Sequence, residues 1–284
     1  MAELYEIHDS PDLADPVLIV GLDGYIDAGF AATNAVGTML EGAGYVTVAG
    51  FDTDALLDYR SRRPTVHLDN GVTTGLTWPT IELRAAVDFR GNEALFLVGA
   101  EPDHLWHAFS SAVVGLAQQF GVREVIGLGA YPAAVPHTRP VRVVATASTH
   151  EMSSRVGSVM GRIDVPGGVH AAIEAAAADD GLPAVALWAQ VPHYAASLPY
   201  PEASNALISA LGEYGGVSFP FGSLAEDAGV TRQRLDSLVS NNDEHVGMLR
   251  QLEGQYDTAD DITGPLPSGD DLAAEVEQFL RDQD

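Results

Sequence analysis

The sequence predicts a three-layer α/β/α fold, built on a mixed, mostly parallel sheet and followed by a C-terminal helical extension. Near-continuous apolar runs, such as residues 16–21 and 184–188, read as strands covered by helices on both faces. Segments with apolar stripes at helical spacing alternate with those runs, as helices crossing between strands do. Beyond Pro201 strand signals nearly vanish and the pattern becomes helical.

Pro16-Val17-Leu18-Ile19-Val20-Gly21 is the first buried strand. A loop over residues 22–26 leads to Asp27, the cap of a small-residue helix reaching about Leu40. Residues 45–51 form the next strand, which makes a βαβ unit of the right-handed kind. Val66-His67-Leu68 and Val72-Thr73-Thr74 flank Asp69-Asn70-Gly71, a turn of residues that tolerate positive φ; this predicts a hairpin, and from it a mixed sheet. After a strand over 95–98, Leu105, Phe109, Ala112, Val113, Leu116 and Phe120 line one side of a helix. Strands over 125–128 and 184–188 run into Val135-Pro136-His137 and Val191-Pro192-His193, with a helix from Val169 to about Asp180 between them. The apolar stripes at 207–211, 235–239 and 246–252 are helical, and Ser240-Asn241-Asn242-Asp243 turns one antiparallel helix into the next. Last come an acidic linker with Gly264-Pro265-Leu266-Pro267 and a helix striped by Leu272, Val276, Phe279 and Leu280. The expected organisation is a core domain over 1–200, a helical extension over 201–257, and the linker with its terminal amphipathic helix over 258–284.

Composition excludes several chemistries. The 40 acidic residues against 14 basic ones give a formal charge of −26, so the overall field repels nucleic acid and anionic membrane. Every basic residue is arginine, and without lysine there is no Walker-type phosphate lysine and no Schiff-base lysine. Without cysteine there is no thiolate metal site, disulfide or cysteine nucleophile, in keeping with a reducing compartment. No apolar run approaches a membrane span and no basic, apolar leader opens the chain, so the expectation is a cytoplasmic protein.

Several constellations remain. The twinned strand ends place His137 and His193, with Tyr194, at the carboxyl edge of the sheet, where ligands of open α/β sheets usually bind. Asp58-Tyr59-Arg60-Ser61-Arg62-Arg63-Pro64 gathers Arg60, Arg62 and Arg63 in one loop, and Arg139 adds a second cationic point. Their planar forks suit carboxylate, phosphate or acids of the same or a neighbouring chain, and pairing with acids is favoured. Asp23 and Asp27 lie in the first loop, whose glycine spacing differs from a dinucleotide fingerprint and whose charge opposes a pyrophosphate. Gly157-Ser158-Val159-Met160-Gly161 is out of register with a nucleophile elbow. His104 and His107 lie three apart with no third ligand placed by sequence. The candidate ligand or interface residues are therefore Asp23, Asp27, Arg60, Arg62, Arg63, His137, Arg139, His193 and Tyr194; no catalytic residue, metal or cofactor is assigned.

Taken in order, Gly21-Leu22-Asp23-Gly24, Asp27-Ala28-Gly29, residues 51–54 and 58–64, Gly99-Ala100-Glu101-Pro102-Asp103 with Trp106 and Phe109, residues 136–140, Val191-Pro192-His193-Tyr194 and residues 252–257 resemble the proteasome assembly chaperone 2 family, in its bacterial and archaeal branch. The resemblance spans nearly the whole chain. It implies a core resembling phosphorylase/hydrolase-like folds, a helical extension, a homo-oligomer such as a trimer, and protein partners that include proteasome subunits. The first functional expectation is thus a non-catalytic, oligomeric chaperone-type binding protein. The alternative is a small-molecule binder or enzyme at the strand ends, nucleoside phosphorylase/hydrolase-like or carboxylate-amine ligase-like, with His137 and His193 as acid/base candidates and Arg62, Arg63 or Arg139 as anion clamps. A third reading is a structural homo-oligomer with the arginine loop as its interface.

Overall fold

The computed structural model describes residues 4–24, 26–157 and 164–263. The expected linker beyond Thr263, the terminal amphipathic helix and most of the Gly157 to Gly161 run lie outside the described residues. In chain order the strands are β1 (Tyr5–Ile7), β2 (Val17–Asp23), β3 (Val46–Phe51), β4 (Thr65–Asp69), β5 (Val72–Thr77), β6 (Ile81–Val87), β7 (Glu93–Ala100), β8 (Glu124–Ala133), β9 (Val143–Ala147) and β10 (Ala184–Pro192). The helices are α1 (Ala31–Ala43), α2 (Thr53–Leu56), α3 (Trp106–Gln119), α4 (His150–Ser154), α5 (Val169–Asp179), α6 (Pro201–Gly215), α7 (Leu224–Ser240) and α8 (Asp243–Thr263).

Eight strands form one sheet in the order β1-β3-β6-β7-β2-β8-β10-β9. The central pairs β7–β2, β2–β8 and β8–β10 are parallel, and the remaining pairs are antiparallel, so five strands run one way and β1, β6 and β9 the other. Alternation along β2 divides the core. Val17 and Ile19 face α1 and α6, whereas Leu18 and Val20 face α3 and α5. Both sides of this strand are closed by helix, which is why its sequence is an unbroken apolar run.

Three expectations change. β2, α1 and β3 do follow one another with both strands in one direction, yet β6 and β7 lie between the two strands. The hairpin at Asn70 and Gly71 is present, with φ of 48° and 85°, but it stands apart as a two-stranded sheet. The sheet is mixed because of β1, β6 and β9 instead. Leu105 is not part of the α3 stripe: it sits just ahead of the helix at φ 58° and is half exposed, while Phe109, Val113 and Leu116 are buried.

The first helix past Pro201 is a layer of the core. Ala203, Leu207, Ile208 and Leu211 of α6 are buried against α1 and β10, and Gly216 ends the helix in the left-handed conformation at φ 71°. Only α7 and α8, joined through Asn241 and Asn242, extend beyond that layer and pack on each other.

Candidate functional site

The carboxyl ends of β8 and β10 lie side by side, since Pro192 pairs with Ala133. The chain leaving β8 therefore passes the turn that follows β10, and His137 meets Tyr194 there. His137 is completely buried. Its backbone N–H donates to the Tyr194 hydroxyl at 2.9 Å, and its Nδ1 lies 2.7 Å from the same oxygen. A carboxylate oxygen only accepts, so the ring proton faces Asp236 and Nδ1 accepts the phenol's own proton. That leaves Nε2 as the protonated nitrogen, donating to Asp236 Oδ1 of α7 at 3.2 Å. Tyr194 stays protonated, as this scheme requires: burial, with the negative field of Glu253 and Asp236, pushes its hydroxyl up to about 12 against the opposing His137 N–H.

The next residues of the same loop grip α8. Thr138 donates to Glu253 at 2.5 Å. Arg139 sets Nε and Nη2 on the two oxygens of Asp257, each at 2.8 Å, and reaches Glu253 with Nη1 at 3.3 Å. Arg142 lies 3.5 Å over the Tyr256 ring and donates to its carbonyl, while the Tyr256 hydroxyl donates to the Pro140 carbonyl at 2.9 Å. The bond from Arg139 holds the Asp257 carboxyl below the usual range. Partners some hundred residues away in sequence thus engage residues 137–142.

The other candidates are dispersed. His193 is exposed and touches the Tyr194 ring edge-on, 5.3 Å between centroids. Arg60 turns back on Asp58 through two bonds of 2.9–3.0 Å, which hold the Asp58 carboxyl at about 2. Arg62 reaches the Asp23 carbonyl at 3.3 Å and lies 3.6 Å from Asp103. Arg63 is exposed and forms no ion pair with a described residue. Asp27 accepts from the Ala32 N–H at 2.7 Å and from the Thr33 N–H and hydroxyl at 3.1 and 2.6 Å, so it caps α1, while the Asp23 side chain is exposed. His104 precedes α3 instead of sharing it with His107, and no cluster of three metal-ligating side chains occurs among the described residues.

A further acidic group stands outside the site residues expected from sequence. Glu101, just past β7, is 8% exposed and accepts the N–H of Val169 at 2.7 Å, where α5 begins. Glycines make room for it: a Cβ on Gly24 would stand 2.3 Å from its Oε2, and one on Gly168 would stand 3.1 Å from Oε1. The legible signal is the acid itself, set between a strand end and Pro102. Beside it His170 is half-buried, desolvation lowers its pKa, and its Nε2 lies 3.3 Å from the Val20 carbonyl oxygen.

Chemically, His137 has both ring nitrogens committed and no exposed edge, and Arg139 is bidentate with an acid of its own chain. The arrangement pins a core loop to the helices that follow it. The model of the PAC2 family matches residues 21–239. The chain belongs to the PAC2 family. A Corynebacterium glutamicum protein of unknown function is 33% identical, with a TM-score of 0.85 over 90% of this chain and 97% of its own. A Mycobacterium tuberculosis protein of unknown function is 36% identical, at 0.85 over 92% and 93%. A proteasome-assembly chaperone homologue of Mycobacterium tuberculosis is 28% identical, at 0.76 over 83% and 99%. No curated protein matches the chain. The PAC2 match includes His137, Arg139, Tyr194 and Asp236 but stops before Glu253, Tyr256 and Asp257, so one half of the pinned contact lies outside it. Among the described residues no helix is long and apolar enough to cross a membrane.

Proposed function

We propose that the chain is a non-catalytic, homo-oligomeric binding protein of the proteasome assembly chaperone type, working in the cytoplasm on protein partners that include proteasome subunits. The carrying observation is the inward commitment of residues 137–142. The histidine and arginine that a small-molecule site at the strand ends would use are bonded to Tyr194, Asp236, Glu253 and Asp257. Among the surfaces the molecule turns outward is the α7–α8 pair, with Val230 and Leu238 of α7 more than half exposed, on a strongly acidic chain. Likeness to a chaperone homologue over most of the chain supports the same reading. Exposed Arg60 and Arg63, in a protein with a large excess of acids, suit contact with acidic side chains of a second copy.

The test is co-expression with the 20S proteasome subunits of its host, followed by affinity purification and native mass spectrometry. Co-purification of a proteasome subunit and a changed assembly yield are expected. An unchanged yield with no subunit retained would overturn the proposal.

A further inference from the structure

Helix α6 buries one side and leaves a second side open. Its outward positions are Ala206, Ser209, Ala210 and Glu213, spaced as one helical face. A groove of about 370 Å³ lies along that face, bounded by Val141, Val143, Arg155 and Tyr214, and a second of about 330 Å³ adjoins it, bounded by Arg90, Phe219 and Phe221. Ser209 and Glu213 line both, so the two form one trough. Arg155 stacks on Tyr214 and Arg90 is exposed, and neither forms an ion pair with a described residue. We propose that this trough is the docking site for residues 268–284 of the same chain, laid along α6 as an amphipathic helix.

Size, charge and tethering argue for that occupant. Leu272, Val276, Phe279 and Leu280 would make a stripe about 12 Å long in a helix, close to the span from Ala206 to Glu213, about 11 Å. The small alanines of α6 permit close approach of a second backbone. The segment carries Asp270, Asp271, Glu275, Glu277, Asp282 and Asp284 against Arg281 alone, which suits a trough where Arg90 and Arg155 outweigh the single acid Glu213. The comparable groove between α1 and α7 has Asp227 and no arginine among its lining residues, so it offers the acidic segment no counter-charge. Tyr256 of α8 is held by Arg142, between the groove residues Val141 and Val143. From the end of α8, residues 264–271 can place Leu272 up to about 26 Å away. A tether of that length raises the local concentration of the segment to the order of millimolar, ahead of any free partner or second copy.

The chain has no cysteine, so disulfide trapping in the full-length protein is unambiguous. Under mild oxidation Ala210→Cys with Val276→Cys is expected to form an intramolecular crosslink at unit mass, and Val230→Cys with Val276→Cys, across the acidic groove, to stay reduced. Crosslinking at Val230, crosslinks only between copies, or none in the first pair would overturn the proposal. In the wild type the amides of 272–280 should exchange about tenfold or more slowly than in an unfolded chain, and Ala210→Asp should abolish that protection. Unprotected amides in the wild type would also overturn it.

Discussion

Arg139 and Asp257, 118 residues apart, meet as a fork on a carboxylate, with two N–H···O bonds of 2.8 Å. The pair joins the loop leaving β8 to the last described helix, and it is partly exposed, so its geometry matters more than its charge product. Around it Thr138, Pro140 and Arg142 repeat the same join by other means. The loop leaving β8 and the helix α8 are thereby registered against each other by one short stretch of chain.

That register should be sensitive to acid. Arg139 holds the Asp257 carboxyl below its ordinary value of 3.8, so the folded state favours the ionised form. A depressed carboxyl contributes stability that is full above the unfolded value and fades as pH falls through the folded one. Amide exchange over residues 250–258 is expected to be flat from pH 7 to about 5 and, after correction for intrinsic rates, to accelerate below about 4. Asp257→Asn should already loosen α8 at neutral pH and flatten this acid response, and added salt should weaken the wild-type contact. An acid response of α8 that Asp257→Asn leaves intact would assign it to other carboxyls.

A larger effect is expected at Tyr194. Its hydroxyl serves both the buried backbone N–H and Nδ1 of His137. Tyr194→Phe leaves those two groups without a partner, at a cost of about 2–4 kcal/mol. Urea unfolding should show a lower midpoint with an unchanged slope. Combining Tyr194→Phe with His137→Ala should cost less than the sum of the single variants, because the second change removes the ring that the first leaves unpartnered.

Asp27 gives a sharper local test. It accepts three hydrogen bonds at the start of α1, and Asp27→Ala is expected to cost about 1–2 kcal/mol by urea unfolding. Asp27→Asn, which keeps an accepting oxygen, should recover part of that loss. Equal stability of all three proteins would remove the capping role.

What the sequence reveals divides along physical lines. Residues 16–21, 95–98 and 184–188 are legible as strands because burial on two faces leaves no room for polar side chains. β6 is less legible: buried Ile81 and Leu83 flank half-buried Glu82, but the alternation breaks where Ala86 is buried and Val87 exposed, so only a weak period marks the strand. His137 and Arg139 stood out as residues at a strand end, yet their partners, Asp236 and Asp257, did not. Nothing local marks an acid on one face of a helix as the mate of a loop some hundred residues earlier, and only the path of α7 and α8 over the core decides it. The arginine loop illustrates the converse: Arg60 finds its acid two residues away, in Asp58.

Gly99 carries the last prediction. It belongs to the Gly99-Ala100-Glu101 run that leads into the buried carboxylate, and its φ of 110° is one that L side chains rarely adopt. A Cβ there would also stand 2.0 Å from the Thr80 carbonyl oxygen, on the strand-pairing side where β6 begins. Backbone must move to admit it, so Gly99→Ala is expected to cost about 3 kcal/mol or more and to disturb the register of β6 on β7. Gly91 provides the control, because its φ is 86° but a Cβ would meet open space. Gly91→Ala isolates the price of the conformation alone, about 1 kcal/mol. If the two variants unfold at the same urea concentration, steric contact with Thr80 is not what fixes glycine at position 99.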